Sequence, residues 1–148
     1  MWPELATCDA QSVTTPAPIE LIRSPELTDD APYAYAAVAH DVSQLVFTAG
    51  ACPLDEFGAT VAVGDATGQA EQVIANLTTA LHAAGADLTD VAKTTVYVAS
   101  QRREDLLAVW EVVRRHFGDH DVPCTLLGVA VLGYPDQLVE VEAVAAIR

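Results

Sequence analysis

The chain has 148 residues, 51% of them hydrophobic and 19% charged, which suits one packed domain with a short tail and excludes global disorder. Seven Lys+Arg stand against 21 Asp+Glu, a formal charge of −14 at pH 7. With Lys93 the only lysine, no basic stripe can displace counterions from phosphates, so nucleic acid is excluded as a partner and an anionic membrane disfavoured.

Residues 1–31 read as an extension, because Pro3, Pro16, Pro18 and Pro25 fall there among Ser, Thr and Asp. Proline fixes φ and removes a donor, so at most a short strand is expected, near Ile19–Arg23. The first residues carry neither a basic n-region nor an apolar h-region, and no run of about 18 apolar residues follows, so the expected location is the cytoplasm. Cys8, Cys52 and Cys124 are odd in number and lack zinc-ligand spacing, so neither a disulfide scaffold nor a metal site is expected.

Residues 32–148 carry the periodic segments. Tyr35–His40 and Gln44–Ala49 read as strands whose connection, His40–Ser43, is short enough for a hairpin, and Gly50–Gly58 as a loop punctuated by Gly and Pro. Ala70, Val73, Ile74, Leu77, Ala80, Leu81 and Ala84 recur at helical spacing; Asp65 or Thr67 can cap this helix and Gly85 can end it. The β-branched run Val91–Val98 predicts a buried strand. Leu106, Val109, Trp110, Val113 and Phe117 form a second helical stripe. Acids in its first turn and bases in its last complement the helix dipole, and Gly118 closes it. Thr125–Leu132 and Gln137–Ile147 read as two further strands.

The order ββαβαββ predicts an α+β domain, a mixed sheet with both helices on one face. The opposite face is then apolar and uncovered, and such a face is expected to be buried against another subunit.

No phosphate loop, dinucleotide fingerprint or hydrolase elbow occurs, and His40, His82, His116 and His120 have no metal-like spacing. Glu140 and Glu142 share one face of the last strand, since period two separates them from Val139 and Val141. They are solvent-facing residues or carboxylates held in a cleft, where a raised pKa suits general acid–base work. Cys124, after Pro123 at the head of a strand, is a small buried filler or a cleft-facing thiol.

Pro32-Tyr33, Phe47-Thr-Ala-Gly50, Cys52-Pro-Leu-Asp55, Val91-Ala-Lys-Thr-Thr-Val-Tyr97 and Leu138-Val-Glu-Val-Glu-Ala-Val144, in that order, resemble the Rid family (YjgF/YER057c/UK114). The resemblance implies a chorismate-mutase-like fold, a homotrimer with a cleft at each subunit interface, and cofactor-independent hydrolysis of reactive enamines and imines. It implies Tyr33 and Gly50 as cleft residues and Glu140 as the carboxylate that orients water. The deaminase members carry an arginine in a Pro-Ala-Arg-Ser/Thr stretch; here it reads Val122-Pro-Cys-Thr125, with Cys124 taken to stand in the arginine's place. A pocket asparagine corresponds to Trp110 and a glutamine to Tyr35. Losing a charge-assisted pair to a buried carboxylate costs on the order of 2–5 kcal/mol, so a standard 2-imino acid is not the expected substrate. The expected site is therefore Glu140 and Cys124 as catalytic groups, with Tyr33, Tyr35, Gly50 and Trp110 binding a small-molecule substrate. A trimer that binds a metabolite without chemistry is the alternative. The ribonuclease label carried by some members is disfavoured by the charge.

Overall fold

A computed structural model describes residues 18–148; the part of the predicted extension before residue 18 lies outside the described residues. The strands are β1 (Ile19–Ile22), β2 (Ala36–Ala39), β3 (Gln44–Phe47), β4 (Val91–Val98), β5 (Cys124–Gly128) and β6 (Val139–Ile147). The helices are α1 (Ala66–Ala83) and α2 (Arg103–Phe117), with a single 3-10 turn at Leu88–Asp90. Four strands form one sheet in the order β3-β6-β4-β5, antiparallel except for the parallel β4–β5 pair. β1 and β2 make a separate antiparallel pair, so the strand expected near Ile19 is tied into the fold through β2. The hairpin that the short connection predicts between β2 and β3 does not form, because β2 pairs with β1 and β3 with β6 in a different sheet.

Alternation along the central strands sets the layers. Val139, Val141, Ala143 and Ala145 of β6 and Thr94, Val96 and Val98 of β4 are buried on one face. There they meet Ala70, Val73, Ile74, Leu77 and Leu81 of α1 and Val109, Trp110, Val113 and Phe117 of α2. Both helices thus cover one face, in the α+β arrangement the periodicities predict. The other face is bare: Phe47 is 72% exposed, Leu45 56% and Leu127 42%.

Of the two possible caps on α1, Asp65 does the work, accepting from the Gly68 N–H at 3.0 Å while Thr67 Oγ1 donates to the same carboxylate at 2.9 Å. Gln69, fully buried on α1, donates to Asp136 O at 2.8 Å and accepts from Leu138 N–H at 2.7 Å. Those two bonds fix the turn that leads into β6. At the start of α2, Ser100 Oγ accepts from Arg102 N–H at 3.0 Å and donates to Asp105 at 2.7 Å.

The last two strands depart from the predicted bounds. β5 stops at Gly128 rather than Leu132 because its partner β4 stops at Val98, and the final bond runs from Val129 N–H to Val98 O at 2.8 Å. Beyond it Val131 is 78% exposed. β6 starts at Val139 rather than Gln137, whose backbone and amide instead close a turn onto Tyr134. Among the described residues, no helix is long and apolar enough to cross a membrane.

Candidate functional site

Glu140 sits on the bare face of β6, where the chain after β3 returns to pair with it. Ala51 N–H donates to Val141 O at 2.8 Å and Val141 N–H to Ala51 O at 3.2 Å. This bridge lays Gly50 under the Glu140 carboxyl group. A Cβ on Gly50 would come within 2.6 Å of Glu140 Cδ and overlap Oε1, so position 50 needs glycine for space rather than for an unusual φ. The other oxygen, Oε2, accepts from Gln137 Nε2 at 3.0 Å and from the Cys52 thiol at 3.7 Å. Cys52 is placed by Asn76 of α1, whose amide donates to Cys52 O at 2.8 Å and Leu54 O at 2.9 Å. Burial and then the Glu140 charge push the Cys52 thiol above its ordinary pKa, with the Gln137 side chain opposing. The thiol is therefore protonated at neutral pH and serves as a donor.

The second carboxylate of the strand, Glu142, accepts from Tyr97 Oη at 2.8 Å. That bond, with burial and the glutamate charge, raises the Tyr97 pKa. Along the same face, Lys93 Nζ donates to Thr125 Oγ1 at 2.6 Å. A shallow hollow of 240 Å³ between them is lined by Phe47, Thr48, Lys93, Thr95 and Glu142.

Cys124 lies elsewhere. It pairs with Thr94, whose side chain is buried on the helix-covered face, and it packs against the core. It opens into a groove of 540 Å³ at the β5 edge, lined by Tyr33, Arg103, Leu107, Trp110 and Glu111. Tyr33 meets Trp110 edge-on at 6.4 Å and Tyr35 at 6.1 Å, the geometry that sets one ring's positive edge on another's negative face. Tyr35 is pinned by its hydroxyl, which donates to Thr28 O at 2.6 Å. Burial raises the Cys124 pKa, opposed by the Thr94 hydroxyl and the Lys93 charge, so this thiol also rests in its unreactive protonated form.

The structure thus gathers the candidate residues into two groups. Glu140 and Gly50 form one; Tyr33, Tyr35, Trp110 and Cys124 form the other. The two groups belong to opposite faces of the sheet, so within one protomer Cys124 and Glu140 do not act on one substrate atom. Strand alternation separates the two residues of the Pro-Cys-Thr stretch: Cys124 takes the core side, and Thr125 takes the face that carries Glu140 and Glu142, where it accepts from Lys93. Cys52 and Gln137 belong to the Glu140 group without having been picked out from sequence. Cys52 is 88 residues from Glu140, and the pairing of β3 and Ala51 with β6 brings it near. The histidines serve elsewhere: His40, His82 and His116 pair with Glu20, Asp87 and Glu71, and His120 with Val91 O.

The sequence profile of the endoribonuclease L-PSP family matches residues 26–147. The chain belongs to that family, the YjgF/Rid group. A RutC family protein of Pyrococcus horikoshii is 34% identical over 114 residues, 77% of this chain and 86% of the relative. Protein DfrA of Myxococcus xanthus is 32% identical over 123 residues, 80% of this chain and 91% of that protein. Among solved structures, the Rid protein YyfB of Yersinia pestis superposes with a TM-score of 0.82 at 26% identity, covering 88% of this chain and 99% of its own. TdcF of E. coli, solved with bound serine, superposes with a TM-score of 0.62 at 28% identity, covering 80% and 90%. The chorismate-mutase-like fold is therefore the Rid fold.

Proposed function

We propose that this Rid-family chain is a cofactor-independent hydrolase of a small reactive enamine, imine or related electrophile, working in the cytoplasm as a homotrimer. The observation that carries the reading is the Glu140 carboxylate, held through Oε2 by Gln137 and Cys52 with Oε1 poised over Gly50. A water bound at Oε1 gives its proton to the carboxylate as its oxygen bonds to the imine carbon. Glu140 passes that proton on to the imine nitrogen as the C=N electron pair moves there, giving a carbinolamine; the carboxylate then takes the hydroxyl proton and delivers it to nitrogen as the C–N bond breaks, so that ammonia leaves, a carbonyl remains and Glu140 is regenerated. The uncovered face, where Phe47, Leu45 and Leu127 are exposed around a polar centre of Lys93, Thr95 and Glu142, supports assembly. Because the aromatic groove and the Glu140 group belong to opposite faces, a neighbouring protomer's β5 edge, with Tyr33, Trp110 and Cys124, is the natural closure over Glu140. Cys124 shapes that wall as a thiol; its burial argues against a nucleophile. Neither Cys124 nor Thr125 offers the bidentate guanidinium that grips a substrate carboxylate, and Lys93, bonded to Thr125, supplies only a single ammonium on that face, so the reading takes a substrate other than a standard 2-imino acid. The family's ribonuclease name is hard to reconcile with a charge of −14, which repels a phosphate backbone.

The test is turnover of a panel of imines generated in situ by an amino-acid oxidase. Glu140→Gln is expected to lower kcat about 10²–10⁴-fold, the usual contribution of a general base; unchanged turnover removes Glu140 and this reading with it. A second reading, metabolite binding without chemistry, has one observation in its favour: TdcF, a relative of the same fold, was solved with serine bound. A small molecule that co-purifies and stays intact on incubation would select it.

A further inference from the structure

We propose that Cys52 and Gln137 are positioning residues for Glu140, together saturating one of its oxygens so that only Oε1 is free to meet water. This deepens the hydrolase reading and rests on Glu140 as its working carboxylate.

The geometry of Gln137 is over-determined. Its Oε1 accepts from the Tyr134 N–H at 3.0 Å, which fixes the opposite end as the NH₂ group. That group has two hydrogens, and they go to Val139 O at 3.1 Å and Glu140 Oε2 at 3.0 Å. The side chain is 4% exposed, so water cannot take the place of either bond.

Cys52 supplies the second donor, and its single S–H has two acceptors in reach: Gly50 O at 3.5 Å and Glu140 Oε2 at 3.7 Å. An ionised carboxylate is the stronger acceptor, so the thiol donates to Glu140 while Glu140 is charged. Once Oε1 has taken a proton from water, the demand at Oε2 falls and the S–H turns to Gly50 O. The thiol thereby tracks the proton on Glu140 without giving up its own. Glu140 is the one charged group that perturbs Cys52; Gln137 and Asn76, the other side chains on it or its backbone, are neutral.

Two measurements test this. The first needs no substrate: carbamidomethylation of Cys52 by iodoacetamide between pH 6 and 10, followed by mass spectrometry of its peptide. In Glu140→Gln the rate at pH 8 is expected to rise several-fold and the profile to move to lower pH, because the neighbouring negative charge is gone. An unchanged profile overturns the contact. The second is kinetic. Cys52→Val removes the donor at nearly constant volume and is expected to lower kcat several-fold with KM little changed, whereas Cys52→Ser, which keeps a donor, restores kcat. Gln137→Met is expected to lower kcat about tenfold, the scale of one hydrogen bond to a charged group. Equal kcat for Cys52→Val, Cys52→Ser and the native chain overturns the positioning role. A native chain that turns over no imine removes the hydrolase reading, and the alkylation comparison then decides the contact on its own.

Discussion

Glu140 and Gly50 are in direct contact, with the carboxyl group of one lying where a side chain of the other would be. The atoms a Cβ at position 50 would meet first are side-chain atoms of the glutamate, Oε1, Cδ and Cγ, and they can shift if the carboxylate leaves its two donors. Gly50→Ala is therefore expected to keep the fold, losing no more than about 1–2 kcal/mol, while displacing the carboxylate from its two donors. Turnover should fall nearly as far as in Glu140→Gln. Thermal melts beside kinetics check this; a fully active Gly50→Ala would mean that the carboxylate works from another rotamer.

Assembly through the bare face of the sheet gives a second prediction. Phe47 is 72% exposed in the protomer, and covering it stabilises an interface by about 1.5–3 kcal/mol per copy. Phe47→Glu places a charge there and is expected to shift the proposed trimer to monomer in sedimentation velocity. On the proposed assembly, in which two protomers share each cleft, turnover falls with the trimer.

Thr125 and Cys124 are neighbours that face opposite sides of the sheet, and arginine scanning separates them. Thr125→Arg sets a guanidinium on the face of Glu140 and is expected to fold and to gain affinity for a substrate with a carboxylate. Cys124→Arg turns it into the groove beside Tyr33 and Trp110, away from Glu140, and is expected to leave affinity for that substrate unchanged. Denaturant midpoints and KM for a 2-imino acid measure the two effects. Gain of activity in Cys124→Arg instead would place the arginine's position on the groove side.

The two helices are clasped by Glu71 of α1, which bonds Arg115 and His116 of α2. The His116 hydrogen bond, more than the Arg115 charge, holds the Glu71 pKa below its ordinary value of 4.5, with burial opposing. A carboxyl group whose pKa falls on folding adds stability above its unfolded pKa and loses it as pH drops through the folded one. Glu71→Gln is therefore expected to be less stable than the native chain at pH 7, with the difference vanishing towards pH 3. Urea unfolding at several pH values checks this; a gap that persists at pH 3 would assign it to packing instead.

Much of the scaffold is legible in residue order. The helical stripes of α1 and α2 and the β-branched run of β4 announce themselves because burial of one face is a local pattern. The end of β5 is not legible, because Val129–Leu132 is as apolar as a strand and stops pairing only where β4 runs out. The site is legible in half. Alternation offers Glu140 and Glu142 alike, and it is the family resemblance that singles out Glu140 and Gly50, but the contact between them depends on a bridge 90 residues apart in the chain. Which of Cys124 and Thr125 faces Glu140 depends on the pairing partner, since a slip of one residue inverts every side chain.

β6 divides its labour along one strand: Val139, Val141, Ala143 and Ala145 are buried in the core that the helices cover, while Glu140, Glu142 and Val144 alternate with them outside it. Selection on ligand chemistry and selection on foldability therefore act on interleaved positions. A lineage can rewrite residues 140, 142 and 144, and with them the chemistry of that face, without repacking the core.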